Sequence, residues 1–274
     1  MNNCKLLFNT LLIILMTISF SAWSQKQPQI QEISVRAPAN IKIDGKLNEW
    51  QNQYLNAYRS ASRIYYVVSN DDKNLYLTMR GLGTGVAIKA LRNGIVFTIS
   101  HSVKRNRAKA PGNVWVEFPM PQDAKAVADV MGPILSAKPF LDDSVTYRKQ
   151  IDSIVSISDS RVNNIVKEMK VDGIKEITDT VISIYNTQGI KAAIQFIKRQ
   201  PVIELAIPLK YLGLSVSNPT PFSYNIRLNG PPQEKNPDLE DDDPDLSKSM
   251  PAGNDALFGI STTDFWGIYT LAVK

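Results

Sequence analysis

The sequence predicts an all-β protein: a two-sheet antiparallel β-sandwich with a partly helical insertion. Three observations carry this expectation. Most of the chain beyond its first 24 residues is built of short segments rich in β-branched and aromatic residues with period-two alternation. Clusters of Asn, Asp, Gly and Pro punctuate those segments at short intervals. Helical patterning is confined to one stretch in the middle of the chain.

The elements follow in order. Segments 64–68 and 75–79 read as strands, with Asn70-Asp71-Asp72-Lys73-Asn74 as the turn between them. Segments 95–99 and 114–118 follow. The stretch of about 121–159 reads as an insertion between strands, because it holds too few apolar residues for a core of its own. Within it, 123–131 and 142–154 are expected to be helical, separated by Gly132-Pro133. Strands are then expected at 165–171, 181–185, 192–197, 202–207, 222–228 and 265–273. No internal repeat is visible.

Composition bounds the chemistry. The chain has 274 residues, 31 Lys plus Arg, 26 Asp plus Glu, and a net charge of +5 with its single His neutral. A hydrophobic fraction of 43% is enough for a substantial core. One Cys excludes an internal disulfide, and one Cys with one His excludes the common zinc sites built from those residues. Residues 1–24 read as a cleaved signal peptide. Lys5 supplies the positive start, 6–20 the mostly apolar run, and Ser21, Ala22 and Ser24 the small residues near the cut. That run is short for a spanning helix, which needs about 20 apolar residues. Cys4 precedes the run and would be removed with it. The expected mature protein is a single domain over 25–274. It is not transmembrane, and it is secreted or periplasmic.

A set of ordered motifs adds a resemblance. Ile41-Lys42-Ile43-Asp44-Gly45-Lys46-Leu47-Asn48-Glu49-Trp50 reads as a strand, an Asp-Gly turn and a Trp folding back, with Ile43 and Trp50 in one core. It is followed by Ser69-Asn70-Asp71-Asp72-Lys73-Asn74-Leu75-Tyr76-Leu77, then by Glu204-Leu205-Ala206-Ile207-Pro208-Leu209 and Leu212-Gly213-Leu214. Phe222-Ser223-Tyr224-Asn225-Ile226 and the closing Trp266-Gly267 and Tyr269-Thr270-Leu271 complete the series. In order and spacing these motifs resemble the family 9 carbohydrate-binding modules and their relatives, from Ile41 to Leu271. The resemblance implies a sandwich of two antiparallel sheets with Trp50 in the space between them. It also implies stacking of exposed Trp on pyranose rings, and structural calcium.

The candidate ligand-binding residues are Trp115, in an alternating strand, and Trp266, where either it or the adjacent Phe265 must face outward. Neither aligns firmly with the family's sugar-clamping pair. Asp238, Glu240, Asp241, Asp242, Asp243 and Asp245 form an acidic loop at about 231–253, punctuated by prolines. Asp241, Asp242 and Asp243 are the candidate metal ligands, for calcium, against the reading of a solvated acidic loop. No other cofactor is expected.

Other chemistry is weighed and set lower. Gly81-Leu82-Gly83-Thr84-Gly85 after a strand is read as a flexible turn rather than a dinucleotide loop, since the surroundings read as strands. His101 between Ser100 and Ser102 is read as an edge residue rather than a catalytic base. The basic loop of Lys104, Arg105, Arg107 and Lys109 lacks interleaved aromatics, so nucleic acid is not an expected partner. No carboxylate pair is singled out for glycoside hydrolysis. The expected role is therefore non-catalytic binding at the cell envelope or exterior, with a polysaccharide or envelope glycan as ligand. The alternative is a structural or protein-interaction sandwich, bound to an envelope protein, that has lost the sugar site. A glycan-active hydrolase ranks third.

Overall fold

The structure, a computed structural model, describes residues 27–51, 53–103, 111–137, 145–231 and 255–274. The segment expected to be a signal peptide, the basic residues 104–109 and the acidic stretch with Asp241, Asp242 and Asp243 lie outside the described residues.

Two antiparallel sheets form the protein. The five-stranded sheet contains β1 (Ala57–Arg59), β2 (Ile64–Asn70), β3 (Asn74–Gly81), β8 (Lys191–Ile197) and β9 (Gln200–Pro208), in the order β1-β2-β3-β9-β8. The six-stranded sheet contains β4 (Ile95–Ser100), β5 (Val114–Glu117), β6 (Glu168–Asp172), β7 (Val181–Ser183), β10 (Phe222–Leu228) and β11 (Thr263–Tyr269), in the order β11-β10-β4-β5-β6-β7. The helices are α1 (Thr84–Asn93), α2 (Ala124–Ser136), α3 (Val145–Ile165) and the short α4 (Asp255–Ile260).

Alternation explains the core. Ile64, Tyr66 and Val68 of β2 and Leu75, Leu77 and Met79 of β3 face the same cluster as Ile95, Phe97 and Ile99 of β4 and Tyr224 and Ile226 of β10. The Tyr66 and Tyr224 hydroxyls meet at 3.1 Å, joining the two sheets within that core. The predicted hairpin is present, with Asn70 paired to Leu75. Its Asp71 Oδ1 accepts from the Lys73 and Asn74 amides, and its Oδ2 accepts from the Tyr76 hydroxyl.

The insertion is helical but differs from expectation in extent. A single helix, α2, runs through Gly132-Pro133, and α3 continues eleven residues past 154 to Ile165. Proline at 133 removes the amide that would bond the Asp129 carbonyl. Arg161 of α3 replaces that donor, its Nη1 lying 2.6 Å from Asp129 O and 3.0 Å from the Asp129 carboxylate. Val127, Val130, Met131 and Ile134 of α2, and Ile151, Val155 and Val162 of α3, join the sandwich core rather than forming their own. Asp159 of α3 accepts from Phe196 N on the outer side of β8, which occupies a sheet edge.

Trp50 is fully buried, but not between the sheets. It packs with Leu47, Tyr54, Val67 and Val202, a second cluster on the opposite face of the five-stranded sheet, and Ile43 is only half-buried. The reason is polar. Trp50 Nε1 donates to Glu204 Oε1 at 2.9 Å, and Glu204 faces away from the main core because Ile203 and Leu205 face into it. Residues 41–43 form no strand.

Candidate functional site

Trp115 and Trp266 lie far apart in sequence and on one face of the six-stranded sheet. The registers set Trp266 opposite Asn225, Asn225 opposite Thr98, Thr98 opposite Trp115, and Trp115 opposite Asp172. Directly paired residues point to the same side. Their strand neighbours Phe265, Tyr224, Phe97 and Val116 face the core, so this row lies on the outer face. Three strand spacings separate the two tryptophans, about 14 Å between backbones.

The two rings differ in access. Phe265 faces inward, its ring centroid 5.1 Å from that of Tyr66, so Trp266 is the outward member of the pair and is half-buried. It lines a groove of about 620 Å³ that follows β11 and the chain near Ile33. Ser223 and Gly267 contribute polar or bare backbone surface there, while Ile33 and Ile268 are 62% and 58% exposed at its sides. Glu32 is the one carboxylate among the groove's lining residues. Trp115, by contrast, is only 5% exposed, so the open platform expected at this position is not present. Its strand lies between β4 and β6, and Lys170 Nζ stands 5.9 Å from its ring centroid.

Between the tryptophans the row is polar and deep. Thr98 and Asn225 have no exposed surface. Asn225 Nδ2 donates to Phe265 O at 3.0 Å, whereas Asn225 Oδ1 and Thr98 Oγ1 have no hydrogen-bond partner. Buried polar atoms in a folded protein are nearly always bonded to protein, water or ligand. The sequence marked both tryptophans but neither Asn225 nor Thr98 as a site residue. A single polar residue in an alternating strand carries no sign of which strand it will sit beside.

Carboxylates lie along this face as well, Asp172 opposite Trp115 and Glu168 two residues before Lys170, the residue opposite Glu117. Asp264 stands opposite Arg227, Arg227 opposite Val96, and Val96 opposite Glu117, which puts Asp264 and Glu117 three strands apart. Glu117 Oε1 also accepts from Asn229 Nδ2 at 3.1 Å. His101, directly after β4, is exposed. Among the described residues no group of three or more His, Cys, Asp or Glu is arranged to hold a metal ion. No helix among them is long and apolar enough to cross a membrane.

One acidic group stands out elsewhere. Glu204 has no exposed surface, and burial pushes its carboxyl up to about 7, against the lowering effect of hydrogen bonds from Trp50 Nε1 and the Gly45 and Asp44 amides. Those donors come from the entry motif, so Glu204 ties the Asp44-Gly45 turn to the five-stranded sheet. It reads as a structural post. Compared with known proteins, the chain matches no family model and no curated sequence.

Proposed function

We propose that the protein is a non-catalytic, secreted or periplasmic binding module that recognises a glycan along the outer face of the six-stranded sheet, with Trp266 as the stacking residue. The observation that carries this reading is the row Trp266-Asn225-Thr98-Trp115. An accessible indole beside a groove of saccharide size stands in strand register with a buried amide oxygen and a buried hydroxyl that lack partners. An aromatic face suits the weakly apolar face of a pyranose at low entropic cost, and nearby polar groups then select its hydroxyls. Trp115 closes the far end of the row as a wall.

Affinity electrophoresis and calorimetry against a panel of soluble polysaccharides test this. The native chain is expected to bind at least one of them, with Trp266→Ala weakening binding tenfold or more, about 1.4 kcal/mol, and Asn225→Ala also weakening it. Absence of binding across the panel overturns the glycan reading, and undiminished binding by Trp266→Ala overturns its placement. A second reading, a protein-interaction module, is favoured by the exposed Ile33 and Ile268 beside the groove. Recovery of a defined envelope protein whose capture is lost in Ile268→Asp, with no polysaccharide bound, is its distinguishing result.

A further inference from the structure

One pair of opposite charges on the outer face of the six-stranded sheet is left open. Arg227 of β10 and Asp264 of β11 stand directly opposite each other in the ladder. Ile226, Leu228 and Phe265 beside them face the core, so both charges lie on the outer face, one row along from Asn225 and Trp266. Both side chains are half-buried and keep access to solvent. Residues so paired have Cβ atoms about 5 Å apart, close enough for an ion pair. Yet no ion pair joins them, and the Arg227 guanidinium has no hydrogen bond to any described residue. Its Nε is buried without a partner. Asp264 Oδ2 lies 3.5 Å from Asn225 Nδ2, so the carboxylate leans along the strand toward the Trp266 row.

An open pair of this kind suits a ligand that carries hydroxyls. A guanidinium only donates and an ionised carboxylate only accepts, whereas a hydroxyl does both. Two neighbouring hydroxyls of one sugar can therefore bridge the pair, one accepting from Arg227 and the other donating to Asp264. Both bonds are charge-assisted, roughly twice as strong as neutral ones. Asp264 is two residues from Trp266 on the same face, about 7 Å along the strand. That places the pair beside the polar edge of a ring stacked on the indole. Charge then narrows the ligand. Arg227 and Asp264 cancel, and Glu117 lies farther along the same cross-strand row, beyond Val96. A ligand carboxylate at Arg227 would stand between Asp264 and Glu117 and be repelled by both.

We propose, on the strength of the glycan reading of this face, that Arg227 and Asp264 are its specificity-determining pair, reading a vicinal diol of a neutral sugar beside the ring stacked on Trp266. The substrate class is then a neutral polysaccharide whose units carry free adjacent hydroxyls. Trp266 supplies stacking that most pyranoses share, and the pair decides which of them is held.

Calorimetric titration of the full chain with four soluble polymers tests the proposal. Xylan and galactomannan have main chains rich in vicinal diols, laminarin has a main chain without them, and polygalacturonate is acidic. Xylan or galactomannan is expected to bind, and to lose about tenfold or more in affinity after periodate oxidation and borohydride reduction, which open the diol. Laminarin and polygalacturonate are expected to bind about tenfold more weakly or not at all. Added salt is expected to leave the neutral affinity nearly unchanged. Arg227→Gln and Asp264→Asn are each expected to weaken binding about fivefold or more. Asp264→Asn is nearly isosteric, so it keeps the test open if the arginine variant fails to fold. No binding by any of the four polymers overturns the glycan reading and the role of the pair with it. Binding that depends on Trp266 but survives periodate, favours laminarin or polygalacturonate, or is unaltered in Asp264→Asn overturns the role of the pair alone.

Discussion

Gly45 shows how much one residue of the entry motif is asked to do. Its φ is +76°, and a Cβ there would lie 2.9 Å from Gln195 backbone and side-chain atoms. Its amide donates to Glu204 Oε2 at 2.9 Å, so the turn cannot shift without losing that bond. Gly45→Ala therefore adds backbone strain and a collision together, and is expected to cost roughly 1–3 kcal/mol by urea denaturation. Trp50→Phe keeps an aromatic in the second cluster but deprives buried Glu204 Oε1 of its indole donor. Its expected cost is of similar size, about 1–3 kcal/mol. A stability unchanged in both variants would mean that the entry segment is not held through Glu204.

At the scale of elements, the β2–β3 hairpin is held by its turn as much as by its ladder. Asp71 accepts from two amides and the Tyr76 hydroxyl. Burial acts to raise its carboxyl, but the hydrogen bonds from Tyr76, Lys73 and Asn74 outweigh it and hold the group below the usual range. Asp71→Asn retains the shape with weaker acceptors, whereas Asp71→Ala leaves the Tyr76 hydroxyl with only its bond from Asn74 Nδ2. Asp71→Ala is expected to destabilise by about 1–3 kcal/mol and Asp71→Asn by less, read from thermal unfolding. The pairing of α2 with α3 follows a similar logic. Ser158 Oγ donates to Val130 O, and Arg161 and Arg199 donate to Asp129 O and Ile134 O, so carbonyls around Pro133 are satisfied from outside the helix.

For the whole molecule, buried acids set the pH dependence of stability. Glu204 is raised to about 7 and Asp159 to about 6, in both cases chiefly by burial. The native state therefore holds protons that the unfolded chain releases between about pH 4 and 7, so stability falls as pH rises through that window. Lys89 acts in the opposite sense at higher pH. Lowered to about 8, it binds protons less readily than in the unfolded chain, so stability recovers between pH 8 and about 10. The urea midpoint is expected to be higher at pH 5 than at pH 8, with Glu204→Gln removing most of the difference. A midpoint that rises from pH 5 to pH 8 in the native chain would contradict this.

Much of this architecture was readable before any coordinates. Segment 222–228 coincides with β10, the ladder of β9 ends at Pro208, and the Asn70–Asn74 turn joins β2 to β3. These are local matters: side-chain alternation, a missing proline amide and short polar side chains that bond their own backbone. Alternation also required that Phe265 and Trp266 face opposite ways. Tertiary structure decided which face each cluster meets. Trp50 was legible as buried, but its burial outside the sandwich depends on Glu204, 154 positions away. Helix α1 was missed because its glycine-rich start and short length give weak local signal, while Val86, Ala87, Ala90 and Leu91 gain their stability from burial in the core. Pro133 stays within a helix because a side chain from α3 reaches the vacated carbonyl. The row from Trp266 to Trp115 exists only through strand register, and the burial of Lys89 only through the crossing of α1 between sheets. Period and turn chemistry act over a few residues and are written along the chain; partner strands, register and buried charge are set by contacts between distant segments, which a single sequence does not spell out.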